Sequence, residues 1–407
     1  MKKLSIFKSN YILIFISLMS LTFNMNSYIN YLFHLIILIL VLKCNFRISI
    51  AIYTFVSIWV LVFYQGEHQV FIFMIDIIIF IKAFLFVIRE NLKFRARDYL
   101  FFIILSFYVL LSILLYGDIS VVRPLLSAII LFTVRMYFVK TKDELIIREL
   151  LKYFSTSVII SVLYGYFHQS FAVDRFVGIH SPNYMGLYLN LSLVIVLLTD
   201  IVREKYKYII VIYLFVALLL TKSTSALVIS TFILFLFIIT SVYKHRDKIN
   251  MKITFAIPIL IALIITVTYI FNMNIQIGAI ERVLNRSDLG NSFDINMITN
   301  QRATLWEIYF NKYLEFGTLK NLFGSAVFSP MEYTNLSAGS HNTYIDILWF
   351  VGAFGLLVLL YILYLNILDY KSSKYFKSLL FIKLVFLINM FSMSLLSSRF
   401  FYILLLL

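Results

Sequence analysis

Three short stretches of this chain pair a cation or a titratable ring with polar neighbours at spacings that suit phosphate or sugar chemistry. The first is Asp174-Arg175-Phe176-Val177-Gly178-Ile179-His180-Ser181-Pro182-Asn183. Arg175 can fork two hydrogen bonds onto a phosphate, with His180 and Asn183 beside it as candidate substrate contacts. The competing reading is an interfacial anchor in which Arg175 pairs with Asp174. Pro182-Asn183 suits a helix start, because proline is at home in the first turn. The second stretch runs from Arg302 through Trp306 and Glu307 to Tyr313. Trp306, Tyr309, Phe310 and Tyr313 are expected on one helical stripe, as in a helix lying at a membrane interface. Arg302 and Trp306 are four residues apart, so they share a face and can stack. Ligand binding by Arg302 competes with a lid whose arginine snorkels to headgroups.

The third stretch is Ser340-His341-Asn342-Thr343-Tyr344-Ile345-Asp346. An imidazole titrating near 6.5 at the mouth of a helix is a candidate base, with Asp346 about a turn below to tune it. The alternative is a helix cap. Asn342 and Tyr344 flank it as candidate substrate contacts. Gly352 and Gly355, three apart, predict the close approach of a neighbouring helix. In the turn Lys222-Ser223-Thr224-Ser225, Lys222 adds a cation near the same mouth or is simply a turn residue. There is no HExxH, no glycine-rich phosphate loop and no pair of cysteines, so neither metal nor cofactor is expected. Scattered carboxylates leave room for one Mg²⁺ ion.

The elements that position these residues read as membrane helices. The chain is 62% hydrophobic and only 14% charged, with a mean hydropathy of +0.95. A soluble domain is nearer half apolar and a quarter charged. Apolar runs are expected to span at about 9–27, 28–42, 48–64, 70–88, 99–116, 121–139, 154–171, 183–200, 208–221, 225–243, 253–272, 344–368 and 378–396. Arg123-Pro124 is a candidate break in the sixth. The fold class is therefore all-α, a polytopic helical membrane protein with about 12–14 spans.

The net charge of +15 comes from short basic clusters between apolar runs. That is the positive-inside pattern and not a nucleic-acid face. It places the N-terminus and the turns at Lys43/Arg47, Arg89–Arg97, Lys140–Lys152, Arg203–Lys207, Lys244–Lys252 and Lys371–Lys377 in the cytoplasm. Cys44, the single cysteine, excludes an internal disulfide. No cleavage site follows Met1-Lys2-Lys3, so the first helix is expected to be retained. Segment 143–153 reads as an amphipathic helix on the cytoplasmic surface. Asp76, Lys82, Arg135 and Lys383 are charges within spans, and costly there. Residues 1–270 form a helical region carrying the 174–183 cluster, 271–343 a long extracytoplasmic loop with an amphipathic helix, and 344–407 the last spans. A loop of roughly seventy residues far exceeds what a helix–helix turn needs.

The order of these motifs resembles the O-antigen polymerase / O-antigen ligase superfamily. The resemblance rests on Arg175, Gly178, Pro182 and Asn183, then Arg302 and Trp306 with Phe323-Gly324, then His341, Asn342 and Tyr344, and covers about 170–368. It implies a GT-C-like architecture in a bacterial inner membrane, with the active site outside. It further implies metal-independent transfer of a glycan from a polyprenyl diphosphate carrier, with arginines matching Arg175 and Arg302 on the diphosphate and a histidine matching His341 assisting the acceptor. Many relatives carry Ser-Arg in the turn where this chain has Lys222-Ser223-Thr224-Ser225, a departure that leaves open the additional arginine contact the resemblance would imply. The expected function is a repeat-unit polymerase of an O-antigen or capsule, working on a polyprenyl-diphosphate-linked oligosaccharide among membrane lipids. A chain-length-regulating copolymerase is a candidate partner. A ligase acting on a lipid core or protein acceptor is the nearest alternative. A flippase for the same lipid-linked units, or a non-catalytic scaffold, is an alternative of another class.

Overall fold

A computed structural model of the chain describes residues 2–22, 27–59, 69–92, 96–117, 121–168, 171–172, 175–176, 181–221, 223, 225–234, 302–328, 330–334, 339–393 and 395. Fourteen helices lie among them. In chain order they are α1 (Lys2–Leu21), α2 (Ser27–Lys43), α3 (Phe46–Ile58), α4 (Gln69–Arg89), α5 (Ala96–Tyr116), α6 (Val122–Thr141), α7 (Glu144–Phe167), α8 (Pro182–Leu198) and α9 (Glu204–Leu220). After the apolar helical run Ser225–Leu234 come α10 (Arg302–Leu314), α11 (Thr318–Phe323), α12 (Pro330–Thr334), α13 (Thr343–Asp369) and α14 (Phe376–Met390). Phe171–Ala172 and Arg175–Phe176 form a two-residue antiparallel ladder, Ala172 opposite Arg175. The chain is all-α. The spans expected at 253–272 and over most of 225–243, the loop 271–301 and the tail beyond 395 lie outside the described residues.

Among the described residues one helix, α13, is long and apolar enough by itself to cross a membrane. The core is built around helices that are apolar on every side. All of α3 except Arg47 is buried, as is α8 from Met185 to Leu197. A helix without a polar face is stable only when other elements surround it. α3 is joined to α7 where the Trp59 indole N–H donates to Ser157 Oγ at 3.0 Å, and Ser157 Oγ donates to the Phe55 carbonyl at 2.8 Å. α8 meets the run Ser225–Leu234 at Gly186, where a Cβ would stand 2.5 Å from that of Ala226. Asn190 then donates to the Ala226 carbonyl at 3.0 Å.

Charges inside helices find specific partners. Arg135 donates from Nε to Asp369 at 3.0 Å, and its Nη2 lies 2.5 Å from the same carboxylate oxygen, both side chains being buried. Lys82 donates to the carbonyls of Val41 and Cys44 and to Ser49 Oγ. It thereby supplies a cation to the C-terminal end of α2, where carbonyls lack helical partners. Lys383 is buried with its ammonium 5.9 Å from the Tyr370 ring centre, and Asp76 is buried in α4.

The basic turns among the described residues gather at one end of the bundle. Arg47 pairs with Asp143 at 3.3 Å, and Lys140 reaches the Glu90 carbonyl. Ser373 donates to Glu144 at 2.8 Å, and Lys374 pairs with Asp200 at 3.1 Å. Two expectations fail here. Residues 144–153 are not a separate surface helix; they continue unbroken into the 24-residue α7. Glu149 in that stretch is buried and accepts from Ser9 and Lys152, so its polar face is spent on α1 rather than on solvent. Pro124 does not break the sixth helix, because it falls in the first turn of α6, where a missing N–H costs nothing.

The helix α13 is interrupted at Gly352, with φ 72° and ψ −177°. The interruption frees carbonyls at Trp349 and Phe350. The Ser325 and Ala326 N–H groups take them at 2.9 and 3.1 Å, and Ser325 Oγ adds a bond to Trp349 at 2.8 Å. Gly324, itself at φ +83°, fits into the notch. A Cβ on Gly352 would stand 2.3 Å from the Gly324 nitrogen, and one on Gly324 would stand 2.5 Å from the Phe350 oxygen. The expectation that Gly352 and Gly355 admit a neighbouring helix is therefore corrected: Gly352 admits an extended segment, and Gly355 is crowded by Val351 of its own helix.

Gly352→Ala (φ 72°, ψ −177°) and Gly324→Ala (φ 83°, ψ 164°) each place a Cβ in a backbone region essentially confined to glycine and add a backbone clash. Gly117→Ala, at φ +67° with open space around it, meets no clash. Thermal unfolding of the purified protein is expected to rank Gly117→Ala well above the other two in stability. Asp369→Asn removes the carboxylate charge beside the buried Arg135, and is expected to cost about 3–5 kcal/mol in the same assay.

Candidate active site

The sequence Ser340-His341-Asn342 forms the mouth of α13. Asn342 is the N-cap, its Oδ1 accepting from the Tyr344 and Ile345 N–H groups at 3.0 and 3.3 Å. An N-cap supplies an acceptor to donors that the first turn leaves orphaned. Asn342 thus takes the capping role that His341 was a candidate for. His341 sits just outside at φ +49°, a left-handed conformation uncommon for a residue with a Cβ. The turn that throws it there is closed by Ser340 Oγ, which donates to Asp346 Oδ1 at 2.6 Å and accepts from the Asn342 N–H at 3.1 Å. Asp346 therefore orders the turn through Ser340 rather than bonding to the imidazole.

Thr343 ties this mouth to the chain leaving α14. Its Oγ1 donates to the Met393 carbonyl at 2.5 Å and accepts from the Leu395 N–H at 2.9 Å. The same chain holds Arg302, whose Nη1 donates to the Ser392 carbonyl at 2.7 Å. Arg302 and His341 consequently come within electrostatic reach of each other. His341 keeps an exposed rim, yet the protein around it strips part of its hydration. That loss, and then the Arg302 charge, hold its imidazole below the usual value near 6.5. Burial also lowers Arg302, but a guanidinium stays protonated at neutral pH.

Arg302 differs from Arg135 in one respect that matters for function. Arg135 is neutralised by Asp369, whereas no carboxylate pairs with Arg302 among the described residues. One turn along α10, the Trp306 Nε1–H is buried and has no acceptor among the described residues. Arg302 does not stack on Trp306; its guanidinium is drawn to Ser392 instead. The aromatic stripe is corrected too. Tyr309 and Tyr313 are buried against Trp349, with Trp306 and Phe316 partly buried beside them, while Phe310 is exposed. The Trp349 indole donates to the Tyr309 carbonyl at 3.2 Å. The stripe thus docks α10 on α13, which fixes where Arg302 and Trp306 can be.

The mouth of α8 belongs to the same end of the bundle. Asn183 accepts from Ser223 Oγ at 3.1 Å, and the Tyr184 phenol feels the Asp346 carboxylate, as does Tyr309 from α10. Tyr184 of α8 and Tyr309 of α10 are therefore both within electrostatic reach of Asp346. Arg175 enters through the strand Arg175–Phe176, which packs on α9, with Phe176 buried and stacked 5.1 Å from Tyr166. The Arg175 side chain, His180 and Lys222 lie outside the described residues. Tyr344 braces α14, its hydroxyl donating to the Leu387 carbonyl at 3.1 Å and its ring 4.5 Å from Phe391. Sequence reasoning passed over the 391–395 chain, whose contribution is backbone carbonyls; the only signal was the polar Ser392-Met393-Ser394 at the end of an apolar run. Among the described residues no three His, Cys, Asp or Glu side chains gather around one point. No protein-family model matches the chain, and no curated protein and no solved structure matches it.

The sign of the His341 shift is testable. A histidine whose folded pKa is depressed binds fewer protons than the unfolded chain below about 6.5. Its contribution to stability is therefore intact above that value and is lost as pH falls through it. Carbon-13 histidine NMR, with His341→Asn to assign the signal, is expected to show a titration midpoint below 6.5 that moves upward in Arg302→Gln.

Proposed function

We propose that the chain is a bacterial inner-membrane glycosyltransferase of the O-antigen polymerase / ligase type, acting as a repeat-unit polymerase of an O-antigen or capsule. In this reading about 12–14 helices cross the bilayer in a GT-C-like arrangement. The end holding the basic turns is cytoplasmic, and the His341–Arg302 end faces outward. The 62% hydrophobic composition supports this, as do apolar side chains left open on helix faces, such as Leu114, Ile209 and Leu357.

The observation that carries the reading is Arg302: a partly buried guanidinium with no carboxylate partner among the described residues, beside an imidazole held toward its neutral form. The donor is a glycan on polyprenyl diphosphate. An acceptor sugar hydroxyl attacks C1, the C1–O bond to the diphosphate breaks, and the bonding pair leaves on the diphosphate oxygen. Arg302 stabilises that growing negative charge, which fixed donors in a dry cleft do better than water. The resemblance adds Arg175 to this role. His341 accepts the hydroxyl proton, since a neutral imidazole is the form that can. Direct attack inverts the anomeric centre.

The purified protein in lipid vesicles, given polyprenyl-diphosphate-linked repeat units, is expected to elongate chains without added metal. Arg302→Lys is expected to lose at least about tenfold in kcat/KM, because a point charge does not replace a bidentate fork. His341→Asn, which tolerates the left-handed backbone, is expected to lose about 10²–10⁴-fold with an unchanged melting temperature. Full activity in His341→Asn overturns its role as base. Loss of the gene is expected to leave single repeat units displayed; long unattached chains point to a ligase, and translocation without elongation to a flippase.

A further inference from the structure

We propose that Thr318–Phe328 is a re-entrant element, seated on the Gly352 break of α13 with its outer face covered by lipid acyl chains. The inference rests on the membrane reading above and departs from an entirely extracytoplasmic placement of 302–343. Gly324 meets α13 nine residues below Thr343, which is about 14 Å along a helix at 1.5 Å per residue. A hydrocarbon core is about 30 Å thick, so the contact falls near its middle.

Irregular backbone at that depth is tolerated only where its polar groups are met by protein. The Gly324 N–H donates to the Lys320 carbonyl at 2.6 Å, and the Ser325 and Ala326 N–H groups donate to α13. The Tyr116 hydroxyl covers the Ser325 carbonyl at 3.0 Å. The side chains tell the complementary story. No residue of α11 is buried, although three of its six are Leu319, Leu322 and Phe323, and Leu319 is 75% exposed. Phe323 of that face lies 6.0 Å from Phe354 of α13, which is followed by exposed Leu357 and Tyr361. What covers α13, among the described residues the one helix long and apolar enough to cross a membrane, therefore covers α11 as well. The only charge on α11, Lys320, turns its ammonium to the Phe316 ring, 5.7 Å from the centre.

Single cysteines at Leu319, Leu322, Thr304 and Leu357, each in a Cys44→Ser background and carrying an environment-sensitive fluorophore, test this in phospholipid vesicles containing spin-labelled lipids; Thr304 is exposed in the first turn of α10, beside Arg302. Labels at 319 and 322 are expected to be quenched by the lipid spin label, as at 357, and to resist aqueous iodide, which quenches the label at 304. Behaviour like 304 at 319 and 322, with 357 still lipid-quenched, overturns the re-entrant placement alone. Iodide quenching at 357 as well overturns the membrane reading with it. Protection from both quenchers, with disulfide crosslinks between copies, assigns the face to a second copy of the chain and equally overturns the proposal.

Discussion

The backbone contact between Gly324 and Gly352 is the constraint on which the candidate site depends. A continuous α13 would keep the Trp349 and Phe350 carbonyls within its own ladder, and the segment after α11 would have nothing to bind. The break offers those acceptors, and only glycine on both sides allows the approach. Once the segment is seated, α10 lies along the N-terminal half of α13 with Tyr309 and Tyr313 against Trp349. Arg302, at the first position of α10, is thereby brought to the mouth where His341 stands.

Much of the helical arrangement was legible in the sequence because it follows from apolar run length. Segments expected at 28–42, 70–88 and 344–368 appear as Ser27–Lys43, Gln69–Arg89 and Thr343–Asp369. Turn chemistry was equally readable at Pro182. What the sequence hid depends on long-range backbone contacts. Nothing local to Gly352 announces that Gly324 will fill its notch. Amphipathic spacing in 143–153 could not tell an aqueous face from one buried against Ser9 of α1. In the same way, the aromatic spacing of α10 is shared by a helix on lipid and a helix docked on Trp349.

The two arginines at opposite ends of the bundle show how surroundings assign roles. Arg135 and Asp369 neutralise each other where both are buried, and removing either leaves a costly lone charge. Arg302 meets a carbonyl dipole in place of a carboxylate, so its charge remains available to a ligand. His341, Asn342 and Tyr344 divide in a comparable way. Asn342 and Tyr344 are occupied in capping α13 and bracing α14, and the imidazole just ahead of them, on a left-handed backbone, keeps an exposed rim.

Arg302 is oriented by a main-chain oxygen, and so is the Thr343 hydroxyl beside it. Any amino acid at 392 or 393 presents the same carbonyl. Those positions can therefore drift between relatives without disturbing the guanidinium, and correlated substitution would not betray the link. A deletion that shifts the register after α14 by a single residue would misplace both anchors at once.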